Sequence, residues 1–191
     1  MAKAAKAQRL GALAAQIRVC TKCPLCKSRK LAVPGDGKTS AKVMLIGEAP
    51  GREEDETGHP FVGAAGRFLD HVLEGTGVKR DDLFITNIVK CRPPKNRAPR
   101  VNEIETCVSN YLIEQIELID PRLIMLLGGV AAKKILGVKS VNEARGHIIE
   151  HDGRKYLVGY HPAVRFYRED LGEKVMEDFQ LLKRVLKQLS L

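Results

Sequence analysis

The chain has 191 residues, 44% hydrophobic and 29% charged, a balance that suits one globular domain with a sizeable core. No apolar run approaches the roughly 18–20 residues that a bilayer span needs. The first twenty residues carry Lys3, Lys6, Arg9 and Arg18 and lack a signal-peptide apolar core, which predicts a cytoplasmic protein without a membrane partner. The net charge of +9 favours a polyanionic partner, nucleic acid foremost, and the many Lys, Arg and Glu residues are compatible with a thermophile.

Leu10, Leu13, Ala14 and Ile17 recur at helical spacing and predict a helix over residues 8–19 that runs into a cysteine-rich segment. Residues 33–37, Val-Pro-Gly-Asp-Gly, read as turns. The apolar run 42–47 reads as a buried strand. After a Gly-rich loop, Phe68, Leu69, Val72 and Leu73 form a helical stripe, and residues 83–89 give a second strand. Residues 101–119 predict a helix, 122–127 a third strand, and Gly128-Gly129 opens a short helix over 130–136. Residues 147–158 read as a hairpin turning at Asp152-Gly153, and the last strand ends at Gly159-Tyr160-His161-Pro162. Val175, Phe179, Leu182, Val185, Leu186 and Leu189 define a closing amphipathic helix.

This alternation predicts a single α/β domain over residues 1–191. Its centre is a mostly parallel four-stranded sheet with helices on both faces and a small hairpin, and segment 1–40 packs on it. Ligands on such sheets bind beyond the carboxyl ends of the strands. The segments 47–51, 87–92 and 161 onward all fall at such ends, which predicts one active site.

The five cysteines are Cys20, Cys23, Cys26, Cys91 and Cys107. An odd count in a chain without a secretory signal argues against a disulfide framework and for metal or cluster ligation. Cys20-x-x-Cys23 can grip one centre from a single turn, and Cys91 and Cys107 can close the site. Four thiolates suit either zinc or an iron–sulfur cluster, and Cys26 offers a third candidate for the two N-terminal places. Lys22, Lys27, Arg29, Lys30, Arg92, Lys95, Arg97 and Arg100 flank the cysteines, a charge pattern that fits docking on phosphates or simply a solvated basic face.

Residues 47–51, Gly-Glu-Ala-Pro-Gly, leave a buried strand through a tight bend, and no Gly-Lys-Ser/Thr follows to make a phosphate-binding loop. Four segments taken together resemble the family 4, iron–sulfur, uracil-DNA glycosylases. They are GEAPGREEDETGHPFVGAAG at 47–66, ITNIVKCRPPKNRAP at 85–99, HPA at 161–163, and the cysteines at 20, 23, 91 and 107. The matches span nearly the whole chain in the family's order.

The resemblance implies hydrolysis of the N-glycosidic bond of uracil flipped out of single- or double-stranded DNA, leaving an abasic site. It implies a [4Fe-4S] cluster on Cys20, Cys23, Cys91 and Cys107, structural in role. Phe61 would stack on the uracil, Asn87 would read its Watson–Crick edge, and His161 would stabilise the anion that forms on O2. Glu48 would activate water; the superfamily's best-known branch has an Asp at the position of Ala49, which this chain lacks. Gly47, Ala49 and Glu54 complete the expected substrate set, with Glu54 or Asp55 contributing to catalysis or walling off the thymine methyl. Arg92, Arg97, Arg165, Phe166 and Arg168 are the expected DNA contacts, Arg165 or Phe166 as the wedge. A related branch that traps DNA covalently has a His-bearing insertion where this chain reads CRPPKNRAP, so turnover is expected. A monomer and a possible replication-clamp partner complete the expectations.

Three alternatives stand beside this reading. A four-cysteine zinc module that binds DNA without chemistry would be colourless, where an iron–sulfur protein is brown. A nucleotide hydrolase would need a phosphate or metal-carboxylate motif, and none is present. The same fold with another base preference, such as hypoxanthine or xanthine, is the third.

Overall fold

The computed structural model describes residues 2–189. One mixed sheet holds β1 (Asp36–Gly37), β2 (Val43–Gly47), β3 (Leu83–Asn87), β4 (Leu123–Leu127), β5 (Ile149–His151) and β6 (Arg154–Gly159). Their spatial order is β1-β3-β2-β4-β6-β5. The four central strands are mutually parallel, as expected, and a short antiparallel strand closes each edge.

The sheet thus departs from four strands plus a hairpin in two places. Residues 36–37 were expected to be turn, yet they pair with Ile85 and Phe84. Gly37 makes this possible: at φ +133 it presses so close that a Cβ would sit 2.1 Å from the Leu83 carbonyl oxygen. The expected hairpin is present but is part of the sheet, since β6 is both its second arm and the last parallel strand. Asp152 and Gly153 are both left-handed, at φ 46 and 70, the backbone that a tight two-residue hairpin turn demands.

Burial on both sides follows from strand alternation. Val43, Leu45, Leu123 and Met125 face α3 (Ala64–Thr76) and α8 (Asp170–Gln188). Met44, Ile46, Ile124 and Leu126 face α1 (Ala2–Arg18), α4 (Val101–Cys107), α5 (Ile113–Ile119) and α6 (Gly129–Leu136). Each such side chain contributes about 1.5–3 kcal/mol on full burial. The short helices α2 (Arg52–Thr57) and α7 (Val141–Ala144) lie in connections.

Helix α1 begins some two turns earlier than its apolar spacing predicts, because the Ala-rich start has high helix propensity without a buried face. Between α4 and α5 the backbone widens into a π-helical turn over Val108–Leu112, directly after Cys107. Leu13, Ile17 and Leu25 anchor the N-terminal segment in the core beside Val108 and Leu112. Among the described residues, no helix is long and apolar enough to cross a membrane.

Candidate active site

The carboxyl ends of β2, β3 and β6 open on a cavity of about 420 Å³, lined among others by Glu48, Ala49, Phe61, Asn87 and His161. That volume suits a nucleoside-sized ligand. Gly47 ends β2 immediately before Glu48 and packs under two of the lining side chains. A Cβ there would lie 2.4 Å from Asn87 Oδ1 and 2.7 Å from Phe61 Cζ, so only glycine lets both side chains close over the strand end. Gly47→Ala should therefore cost about 1–3 kcal/mol of stability through overpacking. It should also lower activity on any ligand of this cavity at least tenfold, and thermal melts with kinetics on the same preparation check both.

Asn87 is the last residue of β3 and is 1% exposed, and its Oδ1 has no hydrogen-bond partner. A buried polar atom left unsatisfied is costly and points to a donor supplied by a ligand. Phe61 belongs to the core and also walls the cavity, its ring stacked on the His161 ring at 5.5 Å between centroids. Its φ of 53 is left-handed, a strained backbone for a bulky residue. Two features hold it there. Arg80, oriented by Asp70, donates to the carbonyls of Pro60 (2.7 Å) and Phe61 (3.2 Å). Gly66, in the first turns of α3, lets the Phe61 carbonyl approach where a Cβ would clash at 1.9 Å. Arg80 was missed from sequence, since an Arg between a helix and a strand carries no signal of a contact twenty residues away.

His161 follows β6, and its Nδ1 accepts a hydrogen bond from the Ala163 N–H at 3.2 Å. The ring proton is then on Nε2, the nitrogen free to donate. Burial pushes its pKa down to about 4, with the carboxylate of Glu54 acting the other way, so the ring is neutral near pH 7. Burial alone raises the pKa of Glu48, which lines the same cavity. Glu54 also lines the cavity, but its oxygens are engaged: Oε1 accepts from Val62 and Gly63 N–H, Oε2 from Gly51 N–H. It laces the loop that carries Phe61. The buried Asp55 faces away and accepts from Lys30 N–H at 2.9 Å, tying the cysteine segment to this loop.

The expected DNA-contact residues divide. Phe166 is half exposed on the cavity rim, and Tyr167 beside it is 85% exposed, more than any other large apolar or aromatic side chain described. The Arg165 guanidinium carbon sits over the Phe68 ring, 4.4 Å from its centroid. Arg168 pairs with Asp170 in an exposed fork. Arg92 reaches Asn96 at 2.7 Å. Arg97 touches the rim but gives both guanidinium arms to Glu103, whose side chain is fully buried; this pairing lowers the carboxyl pKa. Its charge neutralises a buried carboxylate, a role that the basic run 92–100 did not reveal.

On the α4 side of the sheet, Cys20, Cys23, Cys26, Cys91 and Cys107 line a second, small cavity with Ile17, Arg29, Lys90, Thr106 and Tyr111. Hydrogen-bond donors surround the sulfurs: Arg29 Nη1 lies 2.9 Å from Cys91 Sγ, Lys90 N 3.3 Å from Cys107 Sγ, and Lys22 N 3.4 Å from Cys20 Sγ. Burial pushes Cys91 up to about 11 despite Arg29 and also raises Cys23 and Cys107, so as free thiols they are neutral at pH 7. Among the described residues, no three His, Cys, Asp or Glu side chains are grouped closely enough to hold a single metal ion.

Comparison with known proteins adds the family. The model of the uracil DNA glycosylase superfamily matches residues 34–189. The chain is 44% identical over 187 residues to a type-4 uracil-DNA glycosylase of Saccharolobus solfataricus, covering 93% of this chain and 86% of that protein. It is 43% identical over 176 residues to the type-4 enzyme of Pyrobaculum aerophilum, covering 86% and 88%. With that of Archaeoglobus fulgidus it shares 42% over 174 residues, covering 86% and 87%. A match that begins before β2 and runs to the end of α8, together with relatives that cover most of both chains, places this protein in the uracil DNA glycosylase superfamily, among its type-4 members.

Proposed function

We propose that the cavity between β2, β3 and β6 hydrolyses the N-glycosidic bond of uracil extruded from DNA, leaving an abasic site. The observation that carries this reading is the meeting of Asn87, with its unpartnered buried Oδ1, and His161, with a free Nε2–H, beside the Phe61 ring in one cavity. The Asn87 amide accepts from uracil N3–H and donates to O4, a pairing that cytosine reverses. As the bond from C1′ to N1 breaks, its electron pair goes to the pyrimidine, and His161 Nε2–H donates to the developing charge on O2. Glu48 orients a water toward C1′, its charge stabilises the cationic sugar, and it receives the water's proton. Gly47 and Ala49 keep the approach narrow, and the loop laced by Glu54 holds Phe61 against the base.

On the rim, Phe166 and Tyr167 enter the stack where uracil leaves, while Arg92, Arg165 and Arg168 turn to phosphates. The exposed Arg168–Asp170 pair is worth about 1 kcal/mol or less, so exchange for a phosphate is cheap.

The cysteine cavity fits an iron–sulfur cluster held by Cys20, Cys23, Cys91 and Cys107. The four-thiol donor set and the three N–H donors aimed at sulfur suit such a cluster. Bound there, the group supplies a covalent tie between the N-terminal segment, the loop after β3 and α4, and no redox step in base excision.

Two measurements test this reading. Incubation with a uracil-containing oligonucleotide followed by alkali should cleave the strand at uracil; intact strands would overturn it. Cys91→Ala should lose the brown colour, and the melting temperature should fall by roughly 10–20 °C from a loss of order 5 kcal/mol. A variant that kept full stability would place the cysteines among ordinary buried thiols.

A further inference from the structure

Among the described residues, Lys90 is one of the largest side chains fully shut away from solvent, and it is the one that carries an amine. Its Nζ donates to Thr86 Oγ1 at 2.6 Å and to the Asn87 carbonyl at 2.8 Å, both uncharged groups. The ionisable groups that bear on it are Cys107 and Cys91, and it walls the cysteine cavity with them. Its backbone is committed to the same region: the N–H donates to Cys107 Sγ at 3.3 Å, and the carbonyl accepts from Val33 N–H at 2.7 Å. A buried ammonium is costly without a counter-charge, and neutral acceptors provide none. Four thiolates around an iron–sulfur cluster form a net anion beside it.

We infer that Lys90 is a positioning residue that couples the cysteine cavity to base recognition: its buried ammonium is the counter-charge of the ligated thiolates, and its two hydrogen bonds fix the strand end that carries Asn87. The inference rests on the readings that the cysteines hold the cluster and that Asn87 reads uracil. It gives the cluster a bearing on specificity without any contact to the substrate. Thr86 Oγ1 donates onward to the Pro34 carbonyl, and Gln115 Nε2 donates to the same oxygen, so the lysine ends a buried polar chain that braces β3 from the α5 side.

The wild-type protein is assayed first for iron, visible absorbance and uracil excision, and these results alone decide the two underlying readings. Lys90→Met then removes the charge and both hydrogen bonds at similar volume, while Lys90→Arg keeps the charge. In the coloured Lys90→Met protein the cluster midpoint potential should move to more negative values, because reduction loses a nearby cation. Its inhibition constant for free uracil should rise roughly tenfold, the equivalent of one lost positioning hydrogen bond. Affinity for DNA containing an abasic-site analogue should stay near wild type. Lys90→Arg should restore the potential. Should Lys90→Met fail to assemble, Lys90→Gln, which keeps a donor for the Asn87 carbonyl, is expected to show the same shift in potential with a smaller loss of uracil affinity. In a wild-type protein that is coloured and active, a variant with unchanged potential or unchanged uracil affinity overturns the inference.

Discussion

Asn87→Ala should lower kcat/KM for uracil excision by about 10⁴-fold, the range seen when a site built to hydrogen-bond its substrate loses that pairing. Two bonds disappear at once, and both recognise the base that must be held while its bond to the sugar breaks. The free protein should not suffer in proportion. Asn87 Oδ1 is buried without a partner, so the amide is a cost that the fold carries until a ligand supplies a donor. Removing it relieves that cost and opens a small cavity, two effects of opposite sign, and the melting temperature should stay within a few degrees of wild type. Discrimination should fall with rate, because cytosine and uracil differ at the edge that Asn87 faces. The checks are single-turnover kinetics on uracil- and cytosine-containing strands and a thermal melt. A variant that loses stability in step with activity would make Asn87 a structural residue.

How much of this was legible in the sequence depends on the range of the interaction. The four parallel strands follow from short apolar runs such as 43–47 and 123–127, whose residues need nothing beyond local periodicity to be read. Periodicity put Asn87 and His161 at strand ends, which meet at one side of a parallel sheet, and the resemblance of segments 85–99 and 161–163 singled them out. The protonation state of His161 was not, since it depends on Ala163 N–H and on burial. Phe61 was read as a stacking platform only through the resemblance; the structure puts it in the core and on the cavity wall, with a left-handed backbone enforced by Arg80 and Gly66. The basic run at 92–100 suggested a phosphate face. Glu103, six residues beyond Arg97, takes that guanidinium instead, because a fully buried carboxylate needs a partner more than an exposed one does. Lys90, flanked in sequence by Val89 and Cys91, gave no hint of being buried, since lysine is almost never fully enclosed.

The same contrast orders the site by cost. Its expensive features are the left-handed Phe61, the unpartnered Asn87 amide and the buried Lys90 ammonium, and all three sit within the span from β2 to α4. The stabilising elements that bear on them pack directly against them: the Asp70–Arg80 pair, α3 against Phe61, and the cysteine cavity against Lys90. Local rules broken at one place and compensated nearby are what a site under functional constraint should look like.

His161→Ala should reduce kcat about 10²–10³-fold, the usual consequence of deleting one donor to a developing oxyanion, with little change in KM. The pH behaviour separates this role from that of an acid. In the fold His161 has a pKa of about 4 against an ordinary 6.5, so the ring is neutral from pH 5 upward and donates through Nε2 throughout. No activity limb near 6.5 should appear. The acid limb should belong to Glu48, whose carboxyl is raised by burial and must be ionised to act; it should therefore persist in His161→Ala and vanish in Glu48→Gln. Stability carries a second signature. A histidine held neutral binds its proton more readily when unfolded, so the unfolded chain gains protons first as pH falls from 6.5 toward 4, and stability declines over that window. His161→Ala removes this contribution, and its melting temperature should fall less between pH 7 and pH 5 than that of the wild type. A rate profile with a limb near 6.5 that shifts on substitution of His161 would make the imidazole a titrating acid, and the neutral-donor mechanism would fail.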